Sequence, residues 1–137
     1  VIVFVPLRGV QDWLEGELSG REYAVASVHG YVKLKARNEI FDAFQNTDKY
    51  RVLLAHPQVA SHGLNLTCSS NIVWFAPIHS LERYEQANAR IRRLTTTGHT
   101  NIFHIYATPF ERELYRRLQN KLKVLTDFLE LVRGANE

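Results

Sequence analysis

Short runs of β-branched and other apolar residues alternate along this chain with stretches whose apolar residues return every three or four positions. That alternation confines it to an α/β architecture, a mainly parallel sheet with helices on both faces. Val1 to Val5, Tyr23 to Val28, Arg51 to Ala55, Asn71 to Ala76 and Asn101 to Ala107 read as strands. Val10 to Leu18, Lys35 to Phe44, Leu81 to Leu94 and a long segment opened by Thr108-Pro109 read as helices. Ser19-Gly20 ends the first helix, His29-Gly30 breaks the second strand, and Asn46 and Asp48 mark a turn. Ser80 offers its hydroxyl to a free first-turn amide, and Pro109 stands where a missing N–H costs nothing. Thr95-Thr96-Thr97-Gly98 stops the fourth helix, and His56 to Leu66 reads as a structured loop. In the last helix Leu114, Leu118, Leu122, Leu125, Leu129 and Val132 form one apolar stripe, whose early part is expected to close the core.

At 137 residues, 45% of them hydrophobic and 23% charged, the chain is a single globular domain over 1–137 rather than two domains or a disordered tail. The net charge of +3 is modest, but 12 Arg stand against 5 Lys, and the planar guanidinium fork suits phosphate. A single cysteine, Cys68, excludes an internal disulfide and any multi-cysteine zinc site, and favours a reducing compartment such as the cytoplasm. No apolar run reaches the roughly 20 residues of a membrane-spanning helix, and Val1 to Val5 lacks the basic flank of a signal peptide. A start on a strand-like run without Met points to a piece of a longer protein, monomeric on its own.

None of the seven glycines is followed by Lys, so the chain has no phosphate-binding P-loop, and no paired acids follow a strand to hold magnesium. A complete nucleoside triphosphatase needs both parts. The informative segment is the helix from Leu81 to Leu94. Tyr84, Ala87, Ile91 and Leu94 step along its inward seam, while Gln86, Arg90 and Arg93 step along another stripe. Spacing alone allows two readings of that stripe: a solvated basic face with Glu82 or Glu85 as partners, or an anion clamp in which two guanidiniums reach a phosphate.

In order along the chain, Val1 to Leu7, Val28-His29-Gly30 with Arg37 and Phe44, Gly63-Leu64-Asn65-Leu66-Thr67, and Gln86-x-x-x-Arg90-x-x-Arg93 resemble motif IV, the block after it, motif V and motif VI. Asn101 to Lys121 is similar to the closing strand and helix. The chain thereby resembles the second RecA-like lobe of superfamily 2 helicases, of the SWI/SNF-like kind and their phage and prophage relatives. The resemblance implies the C-terminal motor lobe of an ATP-dependent helicase or translocase on double-stranded DNA, closing on an N-terminal RecA-like lobe that holds the P-loop, ATP and most of the Mg2+ contacts. It implies Arg90 and Arg93 as arginine fingers, Gln86, Gly63 and Asn65 near the nucleotide, and Gly30, His56 and Gln58 toward the nucleic-acid backbone. The lobe alone is then expected to hydrolyse no ATP. Two departures are His56-Pro57 where motif V carries Ser-Thr, and Ala76 where an Asp stands before motif VI. They favour the alternative, a non-catalytic lobe that docks a partner or nucleic acid.

Other residues read as structural. Six histidines share no close ligand spacing, so no metal site is expected. Cys68 is expected to be a small buried residue, Trp13 and Trp74 to lie in the core, and Arg112, Arg116 and Arg117 to form a solvated helix face. Gly30 and Gly63 read as backbone pivots that permit a positive φ.

Overall fold

The computed structural model describes residues 1–60, 66–91 and 99–134. Its elements follow in strict alternation: β1 (Ile2–Phe4), α1 (Arg8–Gly20), β2 (Val25–Val28), α2 (Leu34–Asn46), β3 (Val52–Ala55), α3 (Pro57–Ala60), β4 (Asn71–Trp74), α4 (Leu81–Ala89), β5 (Asn101–His104) and α5 (Pro109–Gly134). The five strands form one sheet in the order β2-β3-β1-β4-β5, every neighbouring pair parallel. β1 lies at the centre with Phe4 in register with both Ala55 and Trp74, so both its faces are covered and its residues are apolar throughout. The expected α/β class and parallel sheet are what the chain forms.

Side chains that alternate along β1 separate two cores. Ile2 and Phe4 face Phe41 and Phe44 of α2, Val59 of α3, Tyr84 and Ala87 of α4, and Tyr115 and Leu118 of α5. Val3 and Val5 face the other way, where Val10, Leu14 and Leu18 of α1 cover them. Among the described residues α1 is the helix of that second face.

Several local expectations need correction. Trp13 is 58% exposed, and the fully buried position of α1 is Gln11 instead. At 100° per residue Val10, Gln11, Leu14 and Leu18 share one arc of the helix and position 13 falls outside it. α1 runs on through Gly20 and stops at Glu22, whose φ of 63° takes the left-handed place usually given to glycine. The amides of Glu22 and Tyr23 then bond back to the carbonyls of Ser19 (3.0 Å) and Leu18 (3.1 Å). Gly30 does not have a positive φ, and a methyl group at its α-carbon would meet open space, so the pivot expected there is not used. The predicted loop after β3 begins with a helical turn: Pro57 takes its first position, and the His56 ring Nδ1 accepts the Gln58 amide at 3.2 Å. Cys68 is exposed rather than buried, although its Sγ rests 3.5 Å from the Phe44 carbonyl and partial desolvation pushes the thiol up.

α5 opens as expected at Pro109, strengthened by a reciprocal cap. Glu111 Oε2 accepts the Ala107 and Thr108 amides at 2.7 and 3.0 Å, and Thr108 Oγ1 accepts the Glu111 amide at 3.2 Å. Its early part closes the core through Tyr115 and Leu118, while Leu125, Leu129 and Val132 remain exposed. Arg116 and Arg117 both gather on Glu113, holding that carboxyl down to about 2, which is how a solvated helix face looks.

Candidate nucleotide and nucleic-acid surfaces

Because all five strands are parallel, their carboxyl ends share one edge, the edge at which open α/β sheets take ligands. Gly30, His56 and Gln58 all lie there, directly after β2 and β3. Gly30 is exposed in a turn closed by the Val32 amide on the His29 carbonyl at 3.0 Å. Beside it Arg8 bonds His29 Nδ1 and Asp12 (2.9 Å), and its guanidinium stands 5.8 Å from the centre of the Tyr31 ring. Burial and then Arg8 lower the pKa of His29, and because a guanidinium only donates, Nδ1 accepts from Arg8. Tyr31 is 89% exposed, which leaves an aromatic face and a cation together on the rim. Sequence reasoning missed Arg8 and Tyr31, since neither belongs to a periodic stripe.

His56 is half-buried and both ring nitrogens are engaged, one by the Gln58 amide and one by the Pro6 carbonyl at 3.1 Å. An amide only donates and a carbonyl only accepts, so this network places a proton on Nε2 and makes the ring a latch between β1 and α3. Gln58 is exposed on the same turn.

α4 begins at this edge. The Ser80 hydroxyl accepts the Arg83 amide at 3.3 Å, the cap that the sequence indicated. The helix then runs back across the sheet for roughly 13 Å, the length of its nine residues. Tyr84 and Ala87 of the expected seam are buried, with Ile91 just beyond the helix. Asn88, which the seam did not include, is fully buried as well. Its signal in the sequence was an amide at the fourth step from Tyr84, inside an apolar stripe.

Gln86 is exposed one turn before Arg90, and its Nε2 donates to Glu82 Oε1 at 3.1 Å. Arg90 closes the helix, half-buried, and its carbonyl accepts the Leu66 amide at 3.2 Å. That bond ties the end of α4 to the segment that precedes β4. Arg90 thus stands one helix length back from the carboxyl edge that carries Arg8 and Tyr31. Arg93, Gly63 and Asn65 lie outside the described residues.

A guanidinium and an amide one helical turn apart are donors matched to phosphate oxygens, which suits a nucleotide. Among the described residues no group of three His, Cys, Asp or Glu side chains is arranged to hold a metal ion, and no helix is long and apolar enough to cross a membrane.

Residues 1–95 match the family of helicase conserved C-terminal domains. ATP-dependent helicase fft1 of Schizosaccharomyces pombe is 24% identical over 120 residues, which covers 88% of this chain and 13% of that protein. A SWI/SNF-related matrix-associated actin-dependent regulator of chromatin (subfamily A member 3-like 1) of Arabidopsis thaliana is 27% identical over 128 residues, covering 92% and 14%. Protein p41 of Acyrthosiphon pisum secondary endosymbiont phage 1 is 36% identical over 90 residues, covering 61% and 20%. The chain thus spans a fifth or less of the length of these relatives. The C-terminal part of the Fun30 ATPase domain shares its fold, with a TM-score of 0.77 at 22% identity over 84% of this chain and 37% of that one.

Proposed function

The chain belongs to the family of helicase conserved C-terminal domains, as a RecA-like second lobe of the SWI/SNF-like kind with a phage relative, and from that premise we propose that it is the C-terminal motor lobe of an ATP-dependent helicase or translocase on double-stranded DNA. Its partner is an N-terminal RecA-like lobe of the same protein. ATP with Mg2+ supplies the phosphoryl group whose transfer to water drives the cycle, and the first lobe provides the P-loop and the acidic ligands. What this chain contributes is positive charge, placed late. Arg90 and Arg93 act as fingers whose guanidiniums meet the γ-phosphate oxygens only when the lobes close, and they stabilise charge that grows in the transition state. Gln86, Gly63 and Asn65 order the same face. Gly30, His56 and Gln58 belong to the surface toward the DNA backbone, in which His56 serves by fixing the turn that carries Gln58.

The observation that carries this reading is the pairing of the Gln86-x-x-x-Arg90-x-x-Arg93 spacing with a half-buried Arg90 whose backbone is tied to the segment before β4. The test is DNA-stimulated ATP turnover of the full-length protein. Arg90→Ala and Arg93→Ala are each expected to reduce it by roughly 10³-fold or more, the scale of an arginine finger, with the variants still folded by circular dichroism. Residues 1–137 alone are expected to show no turnover. Unchanged turnover in both variants overturns the motor reading. It would favour the second one, a non-catalytic lobe that docks DNA or a partner, for which the internally engaged His56 ring speaks.

A further inference from the structure

We infer that Asn88 is a positioning residue for Arg90: its buried hydrogen bond to the Trp74 indole fixes the last turn of α4, and so the backbone from which the finger projects. This rests on the reading of Arg90 given above. The starting point is Trp74, which is fully buried and held on several sides. Phe4 lies 4.8 Å and Tyr84 4.9 Å from it, centre to centre, and its carbonyl accepts the Tyr115 hydroxyl at 3.1 Å. An indole N–H only donates, and a buried one needs an acceptor. Asn88 Oδ1 supplies it at 3.0 Å, across from α4 to β4.

Nothing about packing requires an amide there. Tyr84, Ala87 and Ile91 make the rest of the seam, and Asn88 Nδ2 finds no acceptor among the described residues. A half-satisfied buried amide is a poor stabilising device, whereas a directional bond to a fixed ring is a good locator. Two residues on, Arg90 is flanked by buried anchors. Ile91 is 1% exposed and its amide donates to the Asn88 carbonyl at 3.1 Å, while the Arg90 carbonyl accepts from Leu66. Freeing Asn88 would let this turn shift relative to β4, and a displacement of about 1 Å at a charge-stabilising group is worth about 10²-fold in rate.

The experiment measures kcat and KM for ATP, with DNA saturating, on the full-length protein carrying Asn88→Leu or Asn88→Asp, each with its melting temperature. Leu has nearly the shape of Asn without the acceptor; Asp keeps the acceptor and places an acid in the core. Asn88→Leu is expected to lower kcat by roughly 10- to 100-fold at an unchanged KM, while Asn88→Asp stays within about threefold of wild type despite melting lower. Tyr115→Phe removes a bond to the Trp74 carbonyl and leaves the bond between the Trp74 indole and Asn88 in place. It is expected to lower the melting temperature and leave kcat unchanged. If kcat follows melting temperature across the three variants, Asn88 is merely structural and the inference falls. Should Asn88→Leu fail to fold, Trp74→Phe replaces it, because it removes the donor and leaves Asn88 in place; a wild-type kcat there also overturns the inference. Full turnover in Arg90→Ala instead defeats the finger reading, so the two failures are told apart.

Discussion

α1 and α4 lie on opposite faces of the sheet, and each is tied to it by one fully buried amide used in opposite halves. Gln11 spends its donor: Nε2 reaches Ser27 Oγ at 2.9 Å, the Val28 carbonyl at 3.1 Å and the Leu54 carbonyl at 3.3 Å, while Oε1 has no partner among the described residues. Asn88 spends its acceptor on one side chain, Trp74, and leaves its NH2 unused. The difference lies in what each helix is tied to. α1 is tied to strand backbone, which cannot move without breaking the ladder, so it is a fixed wall. α4 is tied to a side chain, the Trp74 ring, whose place is set in turn by Phe4, Tyr84 and Tyr115. The helix that leads to Arg90 is the one whose anchor is a side chain rather than strand backbone.

Reversing the polarity of each amide gives the largest expected effect. Gln11→Glu turns a carboxylate toward two carbonyls and buries a charge with no cation and only the Ser27 hydroxyl to donate to it, which costs about 3 kcal/mol, read as the urea midpoint at pH 7. Asn88→Asp keeps the bond that matters and is expected to lose clearly less. The carboxyl that the first change introduces has a raised pKa in the folded protein, so its penalty applies above the unfolded value and shrinks on acidification. Equal losses at the two positions would remove the contrast. Neutral replacements come next, and with the order reversed. Gln11→Met abandons acceptors, of which the Val28 carbonyl still takes the His56 amide at 3.0 Å, at a cost of about 1 kcal/mol. Asn88→Leu strands a donor that has no alternative, at about 1 to 3 kcal/mol.

The contrast also marks what a reader of the sequence can and cannot recover. The strands were legible because a parallel sheet buried on both faces demands unbroken apolar runs, as in Ile2, Val3, Phe4 and Val5. The seam of α4 was legible from Tyr84, Ala87 and Ile91, and so was the separate stripe of Gln86 and Arg90, since helical spacing alone divides them. Gln11 and Asn88 were not. A polar residue inside an apolar stripe is conspicuous only once its partner is known, and Ser27, Leu54 and Trp74 are distant in sequence. Trp13 misled for the complementary reason: its size argues for burial, and only the arc set by Val10, Leu14 and Leu18 turns it outward. The Arg8 and Tyr31 rim is likewise tertiary, assembled across the carboxyl ends of β1 and β2.

The smallest effect comes from protons, and it falls on one helix. The cluster behind α4 contains a titratable ring, His104, which stacks on Tyr115 at 4.2 Å and meets the Tyr84 hydroxyl at 2.8 Å through Nε2. Burial lowers its pKa below the ordinary 6.5. A depressed folded pKa contributes stability that is present above the unfolded value and lost as pH falls through the folded one. The Gln11 anchor has no titratable partner, although His29, shifted in the same direction, bonds Arg8 at the start of α1. The comparison is therefore made with His29→Gln, which removes that second proton site. The protection of residues 84–88 against hydrogen exchange should fall relative to that of residues 14–18 between pH 7.5 and 5.5, by a small amount because His104 is only half-buried. His104→Gln should abolish the difference. An equal loss of protection in both helices would mean that the two anchors are energetically alike.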